Sequence, residues 1–211
     1  MLTLADILEA LTGARPDGDS LHISEAAIDS RQAIPGSMFI ALSGERVDGH
    51  DYVAEAFKRG AHLAIVEREL SADIPIIDLR SGVLPAAQPL PNPPFGLLVP
   101  NSLKALQTVA GFWRRKLDLR VIGITGSVGK STTKEMIAQV LNERYHTFKT
   151  PGNLNNEIGL PLCLLRLGRG YQRAVLEMGF FVPGEIALLC QLALPQVGVI
   201  TNIGTVHAER A

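Results

Sequence analysis

The stretch that most narrows the fold is Val121-Ile-Gly-Ile-Thr-Gly-Ser-Val-Gly-Lys-Ser-Thr-Thr133. An apolar run enters a glycine turn, and Gly-Lys-Ser then opens a segment suited to a helix. A strand, a tight loop and a helix in that order are the start of a parallel α/β unit. They are also the parts of a phosphate-binding loop. Gly126 and Gly129 let the backbone turn and aim N–H groups inward. Lys130 supplies a cation for the β- and γ-phosphates, the Ser131 hydroxyl can hold Mg²⁺, and the helix start adds its positive dipole end. The strict pattern would put its first glycine at position 124, where Ile124 stands; here the glycine is Gly126.

Alternation continues on both sides of this loop. Strand-like runs lie at 119–124, 145–148, 173–178 and 197–201, with helical patterns at 131–143, 156–166 and 184–193. Asn101 or Ser102 caps an earlier helix with Leu103, Leu106, Val109, Ala110 and Trp113 on one face. Strands alternating with helices predict a parallel sheet covered on both faces.

The N-terminal block is a smaller α/β unit. Thr3 and Asp6 form a capping-box start, Leu4, Ile7, Leu8 and Leu11 recur at helical spacing, and Gly13 stops the helix. Residues 37–42, 62–66 and 74–77 read as strands, and His50 to Arg59 as a helix. Residues 84–94 carry five prolines, which excludes a helix interior or a central strand and suggests an exposed loop near a domain boundary. The expected domains are 1–98 and 99–211.

Composition removes several classes of function. A net charge of −1 gives no field that would draw nucleic acid or an anionic membrane. Arg114-Arg115-Lys116 is read as a helix end, where cations suit the dipole. No apolar run approaches the ~20 residues of a membrane span, and the N-terminus lacks the basic start of a signal peptide. Cys163 and Cys190 sit in apolar contexts and read as reduced, buried thiols. A cytoplasmic monomer is expected.

In parallel sheets, ligands bind beyond the carboxyl ends of the strands. Four loops should therefore open on one rim: the phosphate loop, Thr150 to Asn156, the end of the strand at Glu177, and Thr201-Asn202 leading to His207. A carboxylate at a strand end beside a phosphate loop is a usual Mg²⁺ ligand, because hard cations take oxygen donors. His207 fits a structural role and a metal or phosphate role alike. Asn155 and Asn156 fit a turn and an active site equally.

The motifs T-G-S-V-G-K-S-T-T-K-E-M (125–136), P-G-N-L-N-N-E-I-G-L-P-L (151–162), L-E-M-G-x-x-x-P-G-E-I (176–186) and T-N-I-G-x-x-H-x-E (201–209) resemble the Mur ligase family. So does the first block, with Asp29-Ser30-Arg31, the run Pro35 to Gly44, and Asp48-Gly49-His50. Within the family the chain most resembles the type that adds D-alanyl-D-alanine to UDP-N-acetylmuramoyl-tripeptide. The alternatives are another type of Mur ligase, a folylpolyglutamate synthase, against which the first block argues, and a nucleotide-binding module without catalysis.

The resemblance implies an ATP- and Mg²⁺-dependent amide ligase of peptidoglycan synthesis that works through an acyl phosphate. Residues 1–98 would bind the UDP-sugar, with Ser30, Arg31, Gly44, Asp48, Gly49 and His50 facing it. Residues 99–211 would be part of the central ATP-binding domain. Its ATP site would comprise Thr125, Gly126, Ser127, Val128, Gly129, Lys130, Ser131, Thr132, Asn155 and Asn156. Ser131 and Glu177 would hold one Mg²⁺ and His207 a second, with Lys130, Glu177 and His207 catalytic. Family members carry a further, C-terminal domain, so residues 1–211 resemble an N-terminal portion and are expected to be inactive alone.

Overall fold

The computed structural model describes residues 1–17, 21–85 and 90–204. It divides into two compact units, Met1–Val109 and Ala110–Ala211.

The first unit opens with α1 (Leu4–Thr12). Its start is the reciprocal cap expected: the Asp6 N–H donates to Thr3 Oγ1 at 3.2 Å and the Thr3 N–H to Asp6 Oδ2 at 3.0 Å. Gly13 ends it at φ +73°. There follow β1 (Ala26–Ala27), β2 (Met38–Ile40), α2 (Val53–Lys58), β3 (Leu63–Val66), β4 (Ile76–Asp78) and β5 (Phe95–Leu98). The strands are all parallel and lie in the order β1-β2-β3-β5-β4.

Besides the two-residue β1, which no strand-like run covers, two features differ from the sequence reading. The stretch expected as a helix from His50 starts as a tight 3₁₀ turn, Gly49–Tyr52, and becomes α-helical at Val53. The cause is local: Asp48 Oδ1 accepts the His50 N–H at 3.0 Å and so sets a tight first turn. The second is β5, which is absent from the strand-like runs. It begins directly after Pro93-Pro94, and the proline run masks it. Phe95, the first residue with an N–H to give, donates at once to the His62 carbonyl at 3.2 Å. Far from being peripheral, β5 lies between β3 and β4 and is fully buried. The core on one side of the sheet joins Phe39, Ala64, Val66 and Leu98 to Val53 and Ala56 of α2.

The division between units falls inside α3 (Ser102–Arg115). The second unit continues with β6 (Arg120–Thr125), α4 (Lys130–Asn142), β7 (Thr147–Lys149), α5 (Gly159–Arg166), β8 (Arg173–Glu177), α6 (Glu185–Ala193) and β9 (Val197–Ile200). Its strands are parallel in the order β7-β8-β6-β9. The helical patterns read from the sequence all form, with α5 starting three residues late. Asn156 Oδ1 accepts the Gly159 N–H at 2.8 Å and so caps that helix from outside.

Within the basic run at the end of α3, Arg114 has a structural role. Arg114 is buried, and its guanidinium donates to the carbonyls of Ala193 (2.8 Å), Leu117 (3.1 Å) and Leu119 (3.1 Å). Lys116 lies over the Phe112 ring at 4.4 Å. Trp113 is buried and donates its indole N–H to the Leu167 carbonyl at 2.8 Å. Among the described residues no helix is long and apolar enough to cross a membrane.

Candidate active site

All four strands of the second unit point their carboxyl ends to one edge, and the expected loops gather there. β6 ends at Thr125, and the chain turns through Gly126 (φ +133°) and Gly129 (φ +88°) into α4. A Cβ on Gly126 would stand 2.2 Å from Thr201 Oγ1. The loop is held from the end of β9, the neighbour of β6. The Ser127 N–H donates to the Asn202 carbonyl at 3.1 Å and the Val128 N–H to Asn202 Oδ1 at 2.9 Å. The Thr201 hydroxyl donates to the Val128 carbonyl at 2.6 Å.

Lys130, the first residue of α4, curls its ammonium back to the Gly126 carbonyl and, at 3.4 Å, to that of Ser127. Among the described residues no side chain caps α4 at its N-terminus. Helix-start N–H groups with no side-chain acceptor, a lysine aimed at the same loop, and the dipole end together suit a bound anion. Thr125 Oγ1 is buried without a hydrogen-bond partner among the described residues. Thr132 is exposed on the first turn of α4.

The acid of the site is Glu177, the last residue of β8 and 3% exposed. Its Oε2 accepts the Ser131 hydroxyl at 3.0 Å, and its Oε1 accepts the Asn155 amide at 3.0 Å. Its own N–H donates to Thr150 Oγ1 at 2.9 Å. Ser131, Glu177 and Asn155 therefore meet, the Asn155 side chain bonding to the carboxylate from the loop after β7. Asn156 is turned away to cap α5. His207 lies outside the described residues. The Ser131 hydroxyl and the Glu177 carboxylate are hard oxygen donors converging on one point, the donor chemistry Mg²⁺ prefers.

Two further residues complete this arrangement, and neither was among the expected site residues. Asn202, through both its carbonyl and its side chain, shapes the phosphate loop. Lys134 is 3% exposed and reaches from α4 toward Glu177. Lys134 and Ala138, four residues apart, are the buried positions of α4. A lysine on an inward stripe is the signal that would have marked it.

In the first unit the other predicted residues are largely engaged in the protein's own bonds. Ser30 is buried and donates to Glu55 Oε2 at 3.1 Å. Arg31 is exposed and pairs with Asp29 at 2.7 Å, which holds that carboxyl below its usual range. The Gly44 N–H donates to the Val47 carbonyl at 2.9 Å, and the Gly49 N–H to that of Leu42 at 2.9 Å. A Cβ on Gly49 would fall 2.8 Å from the Leu42 nitrogen. His50 spends both ring nitrogens: Nδ1 meets Asp48 Oδ1 at 2.6 Å, and Nε2 accepts the Glu67 N–H at 2.8 Å. The imidazole therefore carries its proton on Nδ1, and bonds from the His50 backbone N–H and ring depress the Asp48 carboxyl. Pro91 and Pro93 of the proline-rich run line a cleft of about 560 Å³ with Leu4, His22 and His62.

A parallel sheet with a phosphate loop, a strand-end carboxylate and a helix-borne serine defines a nucleotide-binding domain of the phosphate-loop class. Similarity to known proteins narrows the class. Residues 124–211 match the Mur ligase middle domain, and residues 22–94 match the Mur ligase family catalytic domain. The chain belongs to the Mur ligase family. It is 41% identical over 212 residues to the UDP-N-acetylmuramoyl-tripeptide–D-alanyl-D-alanine ligase of Bacillus subtilis (strain 168), covering 98% of this chain and 42% of that one. A crystal structure of MurF from Acinetobacter baumannii superposes with a TM-score of 0.77 at 35% identity, over 96% of this chain and 41% of that one. MurF ligase from Thermotoga maritima in complex with ADP superposes with a TM-score of 0.71 at 36% identity, over 87% and 38%. The chain thus spans less than half the length of the relatives it matches.

Proposed function

We propose that this chain carries the UDP-sugar-binding and nucleotide-binding parts of an ATP-dependent amide ligase. The enzyme would join D-alanyl-D-alanine to UDP-N-acetylmuramoyl-tripeptide. The observation that carries the reading is the meeting of Ser131 and Asn155 on Glu177, one residue along α4 from the phosphate-loop Lys130. Its 41% identity to a UDP-N-acetylmuramoyl-tripeptide–D-alanyl-D-alanine ligase, over nearly the whole of this chain, supports the choice of substrates.

In this reading a carboxylate oxygen of the tripeptide attacks the γ-phosphorus of ATP and ADP leaves. The amine of D-alanyl-D-alanine then attacks the acyl carbon, and inorganic phosphate leaves as the amide forms. Lys130 neutralises charge on the transferring phosphoryl group. The turn at Gly126 and Gly129 lets backbone N–H groups face the phosphates. Mg²⁺, held by Ser131 and Glu177, would screen the phosphate oxygens. Asn155 keeps Glu177 turned toward Ser131. In the first unit Ser30, Arg31 and the Gly44–His50 segment would form the UDP-sugar side; there the His50 bonds serve to hold the segment's shape. We place the reaction in the cytoplasm and take the working unit to be a monomer.

The test is phosphate release by the full-length protein with ATP, UDP-N-acetylmuramoyl-tripeptide and D-alanyl-D-alanine, each omitted in turn. Release should need all three. Lys130→Ala should abolish it and Glu177→Gln should lower it at least about a hundredfold, with both variants folded by circular dichroism. Release that continues without D-alanyl-D-alanine, or equal turnover in parent and variants, would sink the assignment.

A further inference from the structure

Lys134 is given no role in the reaction above, yet among the described residues it is the most deeply buried cation near the site. Its side chain is 4% exposed. The ammonium donates to the Thr150 carbonyl at 2.9 Å and to the Gly152 carbonyl at 3.4 Å, and lies 3.8 Å from Glu177 Oε2. Glu135, exposed on the same helix, approaches it at 3.6 Å but bonds mainly to Lys149. Lys134 stands one helical turn after Ser131, on the same face of α4. One ammonium therefore touches the loop that leads to Asn155 and the carboxylate that Asn155 and Ser131 share. Burying a lysine is costly unless such partners are present, so its placement asks for a reason.

We propose that Lys134 is a positioning residue for the candidate Mg²⁺ site: it ties the 150–152 backbone to Glu177, so that the carboxylate faces Ser131. This rests on the nucleotide-site reading above. The chemistry is local. Thr150 already accepts the Glu177 N–H through its hydroxyl, and Lys134 takes the carbonyl of the same residue. Thr150 is thereby gripped from both sides. Without the ammonium, the Thr150 and Gly152 carbonyls lose a donor, the following loop loosens, and Asn155 no longer holds Oε1.

The sign of the effect separates this role from a purely electrostatic one. A cation 3.8 Å from a metal-binding carboxylate opposes a second cation, so removing its charge alone would strengthen Mg²⁺ binding. A positioning role predicts weaker binding. The test is an Mg²⁺ titration of ADP binding to the full-length protein, read by calorimetry, for the parent, Lys134→Met and Lys134→Arg. Groups that orient a metal ligand typically matter by 10–100-fold, so Lys134→Met should raise the half-saturating Mg²⁺ by about tenfold or more. Lys134→Arg keeps charge and donors and should recover part of that loss.

Unchanged or tighter Mg²⁺ binding by Lys134→Met would overturn the proposal while leaving the nucleotide site standing. A parent that binds ADP with no Mg²⁺ dependence would overturn both. If Lys134→Met does not fold, the side-chain ¹⁵N resonance of Lys134 in the parent decides. Mg²⁺ with ADP must shift it, because its Glu177 partner then engages the metal; an unmoved resonance overturns the proposal.

Discussion

At the scale of the residue, the site depends on a few groups whose neighbours leave little freedom. Gly126 is the sharpest case. Its φ of +133° disfavours any side chain, and a Cβ there would collide with the hydroxyl of Thr201, which itself holds the Val128 carbonyl. Gly126→Ala should lower unfolding stability by about 2–3 kcal/mol, the cost of a forced backbone plus a displaced contact. It should also weaken nucleotide binding, since the loop moves with Thr201. Urea melts and nucleotide titrations check both. The cysteines give a prediction of another kind. Both are free, and burial pushes the Cys163 thiol up to about 12. Thiolate is the reactive form and is scarce well below the pKa. Between pH 7 and 9 the partly exposed Cys190 should therefore alkylate well before Cys163, as peptide mass spectrometry would show. Equal rates would mean that the α5 packing opens readily.

At the scale of the element, helix ends carry most of the informative chemistry. α1 is capped by the reciprocal Thr3 and Asp6 bonds, and the pattern was plain in the sequence because both partners lie within one turn. The end of α3 was legible only in part. A basic run near a helix end suits the dipole, but that Arg114 turns inward to bind carbonyls of the α3–β6 connection and of α6 depends on what packs there. Burial lowers the guanidinium pKa from its usual value, yet its donors are well used. Arg114→Met keeps the stem and orphans three buried carbonyls. It should destabilise the second unit by about 3 kcal/mol, at the upper end for loss of a buried network. Arg115→Met, on the neighbouring exposed residue, should cost less than about 0.5 kcal/mol. Thermal unfolding of the two variants side by side checks the contrast.

At the scale of the whole molecule, the sequence placed a boundary at 98/99, between β5 and α3, whereas the contacts divide the chain at Val109. We propose that residues 1–98 form a folding unit that binds the UDP-sugar, and that the first half of α3 adds to it. The Ser102 N–H donates to Glu67 Oε1 at 2.6 Å, and Leu106 and Val109 are fully buried. A fragment of residues 1–109 should then exceed 1–98 in stability by about 2 kcal/mol or more, the worth of burying one such side chain. Equal urea midpoints would favour the earlier boundary. Residues 1–211 should bind nucleotide yet form no amide product by mass spectrometry, because they span 42% of the length of the ligase they match and an acyl phosphate has to be shielded from water to react with an amine. Ligation at the full-length rate would refute that.

The α/β class, the phosphate loop and the strand-end glutamate were legible because each is a short pattern: alternating periods, a glycine turn before Gly-Lys-Ser, an acid closing an apolar run. β5 was not, since four apolar residues behind a proline run have no period of their own. Nor could the sequence show that Asn155 faces Glu177 while Asn156 caps α5, that Asn202 clasps the loop, or that Lys134 turns inward. Those outcomes depend on which strand lies beside which, and residues dozens of positions apart meet only after β8 and β9 have paired on either side of β6.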